Sequence, residues 1–191
     1  MQNALSARDR ASSEARAGDQ LPAAHATPTG GFRPRNLHGG AGRRYSPNVK
    51  PHATDDRTAW QLHADGAARG NPGPAAAGYV LDDPEGRPRE AHGIVLGVAT
   101  NNVAEYRALI VGLARALELG AETIDVRMDS ELVVRQMLGV YRVKNEGLKP
   151  LYAEAQSLAR RFRKFSIAHV RRELNERADR EANRALDDAI E

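Results

Sequence analysis

From Trp60 onward the hydrophobic pattern switches between a period of two residues and one near 3.6, and the order of the switches leaves few folds open. Trp60, Leu62 and Ala64 alternate with Gln61, His63 and Asp65, which predicts a first strand, followed by a turn at Gly70, Asn71, Pro72 and Gly73. Residues 77–81 predict a second strand, 82–86 a hairpin turn and 89–96 a third strand. Thr100 or Asn101 caps a helix whose apolar positions Val103, Tyr106, Ile110, Leu113 and Leu117 recur at helical spacing until Gly120 stops it. Residues 123–128 predict a fourth strand. Ser130 caps a helix through Met137, and Pro150 starts another in which Leu151, Ala155, Leu158 and Phe162 share a face. Residues 166–170 predict a fifth strand, and Asn175 caps a last helix with Ala178, Ala182, Ala185, Leu186 and Ala189 along one side.

The order is βββαβααβα. Strands joined by hairpins lie antiparallel, whereas strands that return through a helix pair in parallel by a right-handed crossover. The expected fold is therefore α/β, with a mixed five-stranded sheet, three strands antiparallel and two parallel, flanked by helices.

Residues 1–57 show no such period. They mix Ala, Arg, Gly, Pro, Ser and His, with turn formers at Gly30-Gly31, Gly39-Gly40 and Ser46-Pro47-Asn48. A segment of this kind buries too little apolar surface to offset its ordering entropy, so we expect a disordered basic tail over 1–57 and one folded domain over 58–191. Charge divides the same way, with 8 Lys+Arg against 5 Asp+Glu up to Asp56 and 20 against 20 from Arg57. The excess of positive charge belongs to the tail, where Arg33, Arg35, Arg43, Arg44 and Lys50 form either a solvated run or a nonspecific phosphate contact. The chain has no cysteine, which excludes disulfides, thiolate zinc sites and cysteine nucleophiles and is compatible with a reducing compartment. No stretch approaches the ~20 apolar residues that a membrane span needs. The expectation is a cytoplasmic, monomeric protein with no membrane partner.

Four acids stand where such a sheet brings chain segments together. Asp65 ends the first strand region, Glu105 lies in or near the first turn of the long helix, Asp129 ends the fourth strand and Asp179 lies near the start of the last helix. Singly, each has an ordinary reading as a turn acid, a cap or a complement to a helix dipole. Together they would repel one another, and the usual resolutions are a shared proton or a divalent cation. An all-oxygen donor set without cysteine suits magnesium or manganese.

The strings that carry these acids are DGAARGNPGPAAAG from Asp65, TNNVAEYRAL from Thr100, MDSELVV from Met128 and NERADREAN from Asn175. In order, they resemble the four motif blocks of the ribonuclease H family, type one, over nearly all of residues 60–187, and the absence of an insertion makes the chain similar to the short archaeal-like branch. The resemblance implies a ribonuclease H-like fold and an endonuclease that hydrolyses the RNA strand of RNA-DNA hybrids, with double-stranded RNA as a further substrate. It implies Asp65, Glu105, Asp129 and Asp179 as ligands of two Mg2+ ions, ~4 Å apart in such sites, with Mn2+ as a substitute. Asp65 would bridge both ions, Glu105 and Asp129 would join it on the leaving-group side and Asp179 on the nucleophile side, giving 5′-phosphate and 3′-hydroxyl ends. Asn71, Asn101 and Asn102 would face the minor groove, where 2′-hydroxyls distinguish RNA from DNA, Thr100 would hold a phosphate of the DNA strand, and Gly66 would line the nucleic-acid path.

The chain departs from the family pattern in places. Arg171-Arg172-Glu173-Leu174 replaces a histidine-bearing loop, and His169 falls inside the fifth strand, where we expect a structural role. Residues 139–149 are too short for a basic, tryptophan-containing protrusion, and Glu131 stands where better-known members carry glutamine. The run Arg160-Arg161-Phe162-Arg163-Lys164 reads as a basic helix end, with compensation for the missing protrusion as the alternative. A catalytically silent module of the same fold, binding hybrid or double-stranded RNA, is the alternative function.

Overall fold

The computed structural model describes residues 59–189, so the proposed tail and its Arg33, Arg35, Arg43, Arg44 and Lys50 lie outside the described residues. The elements run β1 (Trp60–Ala68), β2 (Gly73–Asp82), β3 (Pro88–Ala99), α1 (Asn101–Glu118), β4 (Thr123–Met128), α2 (Glu131–Met137), α3 (Lys149–Ala159), β5 (Lys164–His169), a 3-10 turn (Arg172–Leu174) and α4 (Glu176–Asp188). One five-stranded sheet has the order β3-β2-β1-β4-β5. β1 and β3 pair antiparallel with β2, while β4 pairs in parallel with both β1 and β5. The mixed sheet read from the element order is present.

The strands of the meander are longer than their apolar runs. β1 continues to Ala68 and pairs with β2 up to Ala68↔Ala75, so Asp65 lies within the strand rather than at its end. The turn shrinks to a few residues closed by Arg69 N–H donating to the Pro74 carbonyl at 2.8 Å. Alanine and glycine have little intrinsic strand preference, and here the ladder itself supplies what the side chains do not. α3 ends at Ala159, so Phe162 is buried in the turn beyond the helix, and Leu158 is only half-buried. Ala189 is exposed past the end of α4, whose buried side is Ala178, Ala182 and Leu186.

Two helices sandwich the sheet. Leu62 on β1 packs against α1 at Gly112, so the even-numbered residues of β1 face α1. The odd-numbered side, which includes His63 and Asp65, faces α4. There Gly78 and Gly93 lie opposite each other on β2 and β3 and form a groove for the helix. A Cβ at Gly78 would stand 2.3 Å from the Ala178 carbonyl oxygen, and one at Gly93 2.1 Å from that of Glu181. Small residues on both partners thus bring α4 close to β2 and β3, and Asp65 on the neighbouring β1 is in register with Gly78. On the α1 side the core is closed by Leu62, Leu109, Leu113, Ile124 and Val126, with the buried Tyr106 hydroxyl donating to Gln136 at 2.7 Å.

Candidate active site

The site follows from where the parallel pairing stops. The β1–β4 register ends at His63↔Arg127, and β4 itself ends one residue later, while β1 runs on to Ala68 beside β2. A notch opens at the carboxyl end of the parallel pair, the position where open α/β sheets place their sites. Asp65 and Asp129, each two residues beyond the last β1–β4 pair, enter it from β1 and from just past the end of β4. Glu105 enters from α1 because Gly66 has no side chain. A Cβ there would lie 2.1 Å from the Glu105 backbone nitrogen, and instead the Gly66 N–H donates to Glu105 Oε2 at 3.2 Å.

One carboxylate oxygen from each of Asp65, Glu105 and Asp129 lies within 4.8 Å of the other two. Asp65 and Glu105 are 5% and 6% exposed, so the groups meet away from bulk water. Asp179, in the first turn of α4, lines the same cleft of about 350 Å³ but stands apart from this triad, with its Oδ1 bound to Arg172 Nη2 at 2.6 Å.

Crowding has a charge consequence. Burial, then the Asp129 charge and a hydrogen bond to Asp129, then the Asp179 charge push the Asp65 carboxyl up to about 8, against a partial opposing effect of Arg172. Glu105 is also raised well above the carboxylate range, first by burial and then by the Asp65 and Asp129 charges, with hydrogen bonds from Gly66 N–H and the Asn101 side chain opposing. Both acids hold protons in the folded state that the unfolded chain releases, so folding stability is greatest below about pH 4 for this contribution and falls as pH rises through the folded values. Without divalent cations the melting temperature of the folded domain is therefore expected to fall between about pH 4 and about pH 8, and millimolar Mg2+ to remove much of that fall. Differential scanning fluorimetry across this range checks it, and a flat metal-free profile that Mg2+ does not shift would count against a converged site.

A family model described as Reverse transcriptase-like matches residues 63–185, which includes all four acids. A protein named Ribonuclease HI from Halobacterium salinarum is 47% identical over 131 residues, 68% of this chain and 66% of that protein. The chain belongs to the ribonuclease H family. A bifunctional protein of Mycobacterium tuberculosis is 48% identical over 137 residues, 68% of this chain and 36% of its own length, so the chain spans about two thirds of one of these relatives and about a third of the other. Among solved structures, that of the compost-derived LC11-RNase H1 in complex with RNA/DNA hybrid superposes with a TM-score of 0.66 at 42% identity, covering 69% of this chain and 99% of that one.

In this member of the ribonuclease H family the residues read as nucleic-acid contacts gather on one rim. Thr100 is the N-cap of α1 and accepts from Val103 N–H at 3.4 Å. The Asn71 side-chain oxygen accepts the Asn101 N–H at 3.1 Å, which ties the β1–β2 turn to the start of α1. The Asn101 side chain reaches Glu105, and Asn102 is exposed beside it. Gly66 lines the cleft, but its N–H is engaged by Glu105.

Other positions match the sequence reading in part. His169 is the last residue of β5, within the strand as read, and is exposed there. The basic run 160–164 follows α3 rather than ending it, and Arg163 Nη2 donates to Thr123. Glu131 forms an i,i+4 pair with Arg135 at 2.6 Å in the first turn of α2. Two further residues belong to the site. Arg172 pairs with Asp179 from the segment that replaces the histidine loop, and a search for the charge that balances four acids would have pointed to it. Asn175 occupies the N-cap position of α4 but makes no side-chain cap bond. It donates to Asp129 Oδ1 at 2.8 Å instead.

Proposed function

We propose that residues 58–191 form an endonuclease domain that hydrolyses the RNA strand of RNA-DNA hybrids, leaving 5′-phosphate and 3′-hydroxyl ends, with 1–57 as a separate basic tail. The observation that carries this reading is the meeting of three carboxylate oxygens, from β1, α1 and the end of β4, within 4.8 Å. The donor set suits two Mg2+ ions, or Mn2+ in their place. It is all oxygen and largely withdrawn from water, where burial first and then the neighbouring negative charges raise Asp65 and Glu105.

Asp65, Glu105 and Asp129 would hold the cations, with Asp179 joining them from α4. When bound, the cations supply Lewis-acid activation of water and charge stabilisation at the phosphate. The chain's own groups set everything around that chemistry. The Gly66 N–H fixes one Glu105 oxygen, the buried β1–α1 contact keeps Glu105 and Asp65 from separating, and Asn101 orients the outer side of Glu105. The rim of Asn71, Thr100, Asn101 and Asn102 offers amide and hydroxyl groups beside the acids, where 2′-hydroxyls of one strand and phosphates of the other can be told apart. Asp179 starts from its pair with Arg172, so engaging it at the centre frees a guanidinium at the cleft mouth.

The reading extends to a monomer acting in the cytoplasm, with double-stranded RNA as a weaker substrate. Among the described residues no helix is long and apolar enough to cross a membrane. A panel of end-labelled hybrid, RNA duplex and DNA duplex in Mg2+ tests the specificity. The hybrid is expected to be cut, the RNA duplex more slowly and the DNA duplex not at all. Hybrid that is bound but stays intact after long incubation in Mn2+ would instead establish a silent binding module.

A further inference from the structure

Asp65 and Asp129 both lie beyond the last β1–β4 pair, because the register between those two strands ends at His63↔Arg127, while β1 stays paired with β2 at Asp65↔Gly78 and Asp129 follows the end of β4. What spans the gap between β1 and the residue just past β4 is a side chain from the N-cap of α4. Asn175 is 0% exposed, and its amide nitrogen donates to the Ala64 carbonyl at 2.9 Å and to Asp129 Oδ1 at 2.8 Å. The first acceptor belongs to the peptide that leads into Asp65, and the second is one of the converging acids. Both amide hydrogens are therefore spent on the two chain segments whose separation defines the site.

The orientation of the carboxamide is also determined. A backbone carbonyl can only accept, so the nitrogen must face Ala64 and the oxygen must face the other way. Asn175 Oδ1 lies 3.3 Å from His63 Nδ1, and the ring nitrogen is then the donor. His63 sits on the same face of β1 as Asp65, two residues earlier, and is half-buried beneath α4. An asparagine just before a helix ordinarily turns its side chain onto the helix N–H groups. This one forgoes that and turns inward.

We propose that Asn175 is a positioning residue for the acid centre, a crossbar that sets the spacing of Asp65 and Asp129 for divalent cations, and that His63 locks its amide in the working orientation. The inference deepens the nuclease reading and rests on it for the identity of the bound group. Replacement by alanine leaves Asp129 without its buried donor and unties β1 at Ala64 from the segment that follows β4. Outer partners that orient carboxylate ligands typically matter by about 10–100-fold in metal affinity.

The test is Mn2+ binding to the full chain, read by water-proton relaxation without nucleic acid, for the wild type, Asn175→Ala and His63→Phe, with far-UV circular dichroism as the folding control. Asn175→Ala is expected to weaken Mn2+ binding about 10-fold or more, and His63→Phe to weaken it less, in the same direction. In steady state, kcat at fixed Mg2+ should fall and recover with added metal, while KM for hybrid stays put. A folded Asn175→Ala variant with wild-type affinity overturns the proposal. If that variant does not fold, unchanged affinity in His63→Phe overturns it. A wild type that binds Mn2+ through these acids but cuts no hybrid would reject the nuclease reading and leave the crossbar standing.

Discussion

Asp65→Asn is expected to abolish RNA cleavage while the domain stays folded and, without metal at neutral pH, becomes more stable. The two expectations share one cause. Asp65 is buried among Asp129, Glu105 and Asp179, and holding it ionised there is costly enough to push its carboxyl up to about 8. Asparagine has nearly the same shape but no charge to desolvate, so the folded state loses a strain and the metal-free fall in melting temperature with pH should flatten. That same charge is what would attract and hold cations. Its loss should cost cleavage on the order of 10³-fold or more, the scale at which losing one member of a cooperating catalytic set is felt. Asp179→Asn should be milder, because Asp179 stands outside the triad and is paired with Arg172. Initial rates on hybrid, together with thermal melts with and without Mg2+, check both halves. A variant that melts lower than wild type and still cuts at full rate would reverse the assignment.

The second large effect comes from a residue with no functional group. Gly66→Ala is expected to destabilise the domain by about 3 kcal/mol or more, the upper range for overpacking a buried contact. A Cβ at this position would meet the Glu105 nitrogen at 2.1 Å and the Ala104 carbonyl carbon at 2.3 Å. These are backbone atoms of the first turns of α1, so no side-chain rotation relieves the contact and the helix must move off β1. Glu105 then leaves Asp65, and the Gly66 N–H bond to Glu105 Oε2 is lost with it. For a domain of this size the melting temperature should fall by about 10 °C. Cleavage should drop beyond what the lost stability explains when assayed well below the new midpoint. A melt within a degree or two of wild type would show that α1 can yield at that point without cost.

Much of this arrangement was legible in the sequence, for a physical reason. Hydrophobic period reports which side of each element is buried, and β4 and the body of α1 were recovered because Thr123–Met128 and Val103–Leu117 carry strong apolar patterns. The meeting of Asp65, Glu105 and Asp129 was foreshadowed because each sits in a distinctive local string. What escaped is whatever depends on two elements at once. The ends of β1 and β2 are built of Ala67, Ala68, Ala75 and Ala76, whose strand conformation is enforced by pairing rather than preference. Asn175 looked like a helix cap because asparagine before a helix usually is one, and its inward turn is visible only once β4 is seen to end beside β1. Arg172 was read for the histidine it replaces, not for the Asp179 it holds. Asp179 was grouped with the other acids by its motif, although in the folded chain it lines the cleft at one remove from the other three.

The proposed cleavage of RNA depends on acids from separate elements forming one centre. Its most direct measurement follows a hybrid labelled on the RNA strand, incubated in Mg2+ with the wild type and with Asp65→Asn side by side, and analyses the ends of the products. RNA fragments with 5′-phosphate and 3′-hydroxyl ends are expected from the wild type, with an intact DNA strand and no product above background from the variant or when the metal is chelated. Cleavage that persists in Asp65→Asn, or that proceeds equally well in chelator, would contradict that dependence.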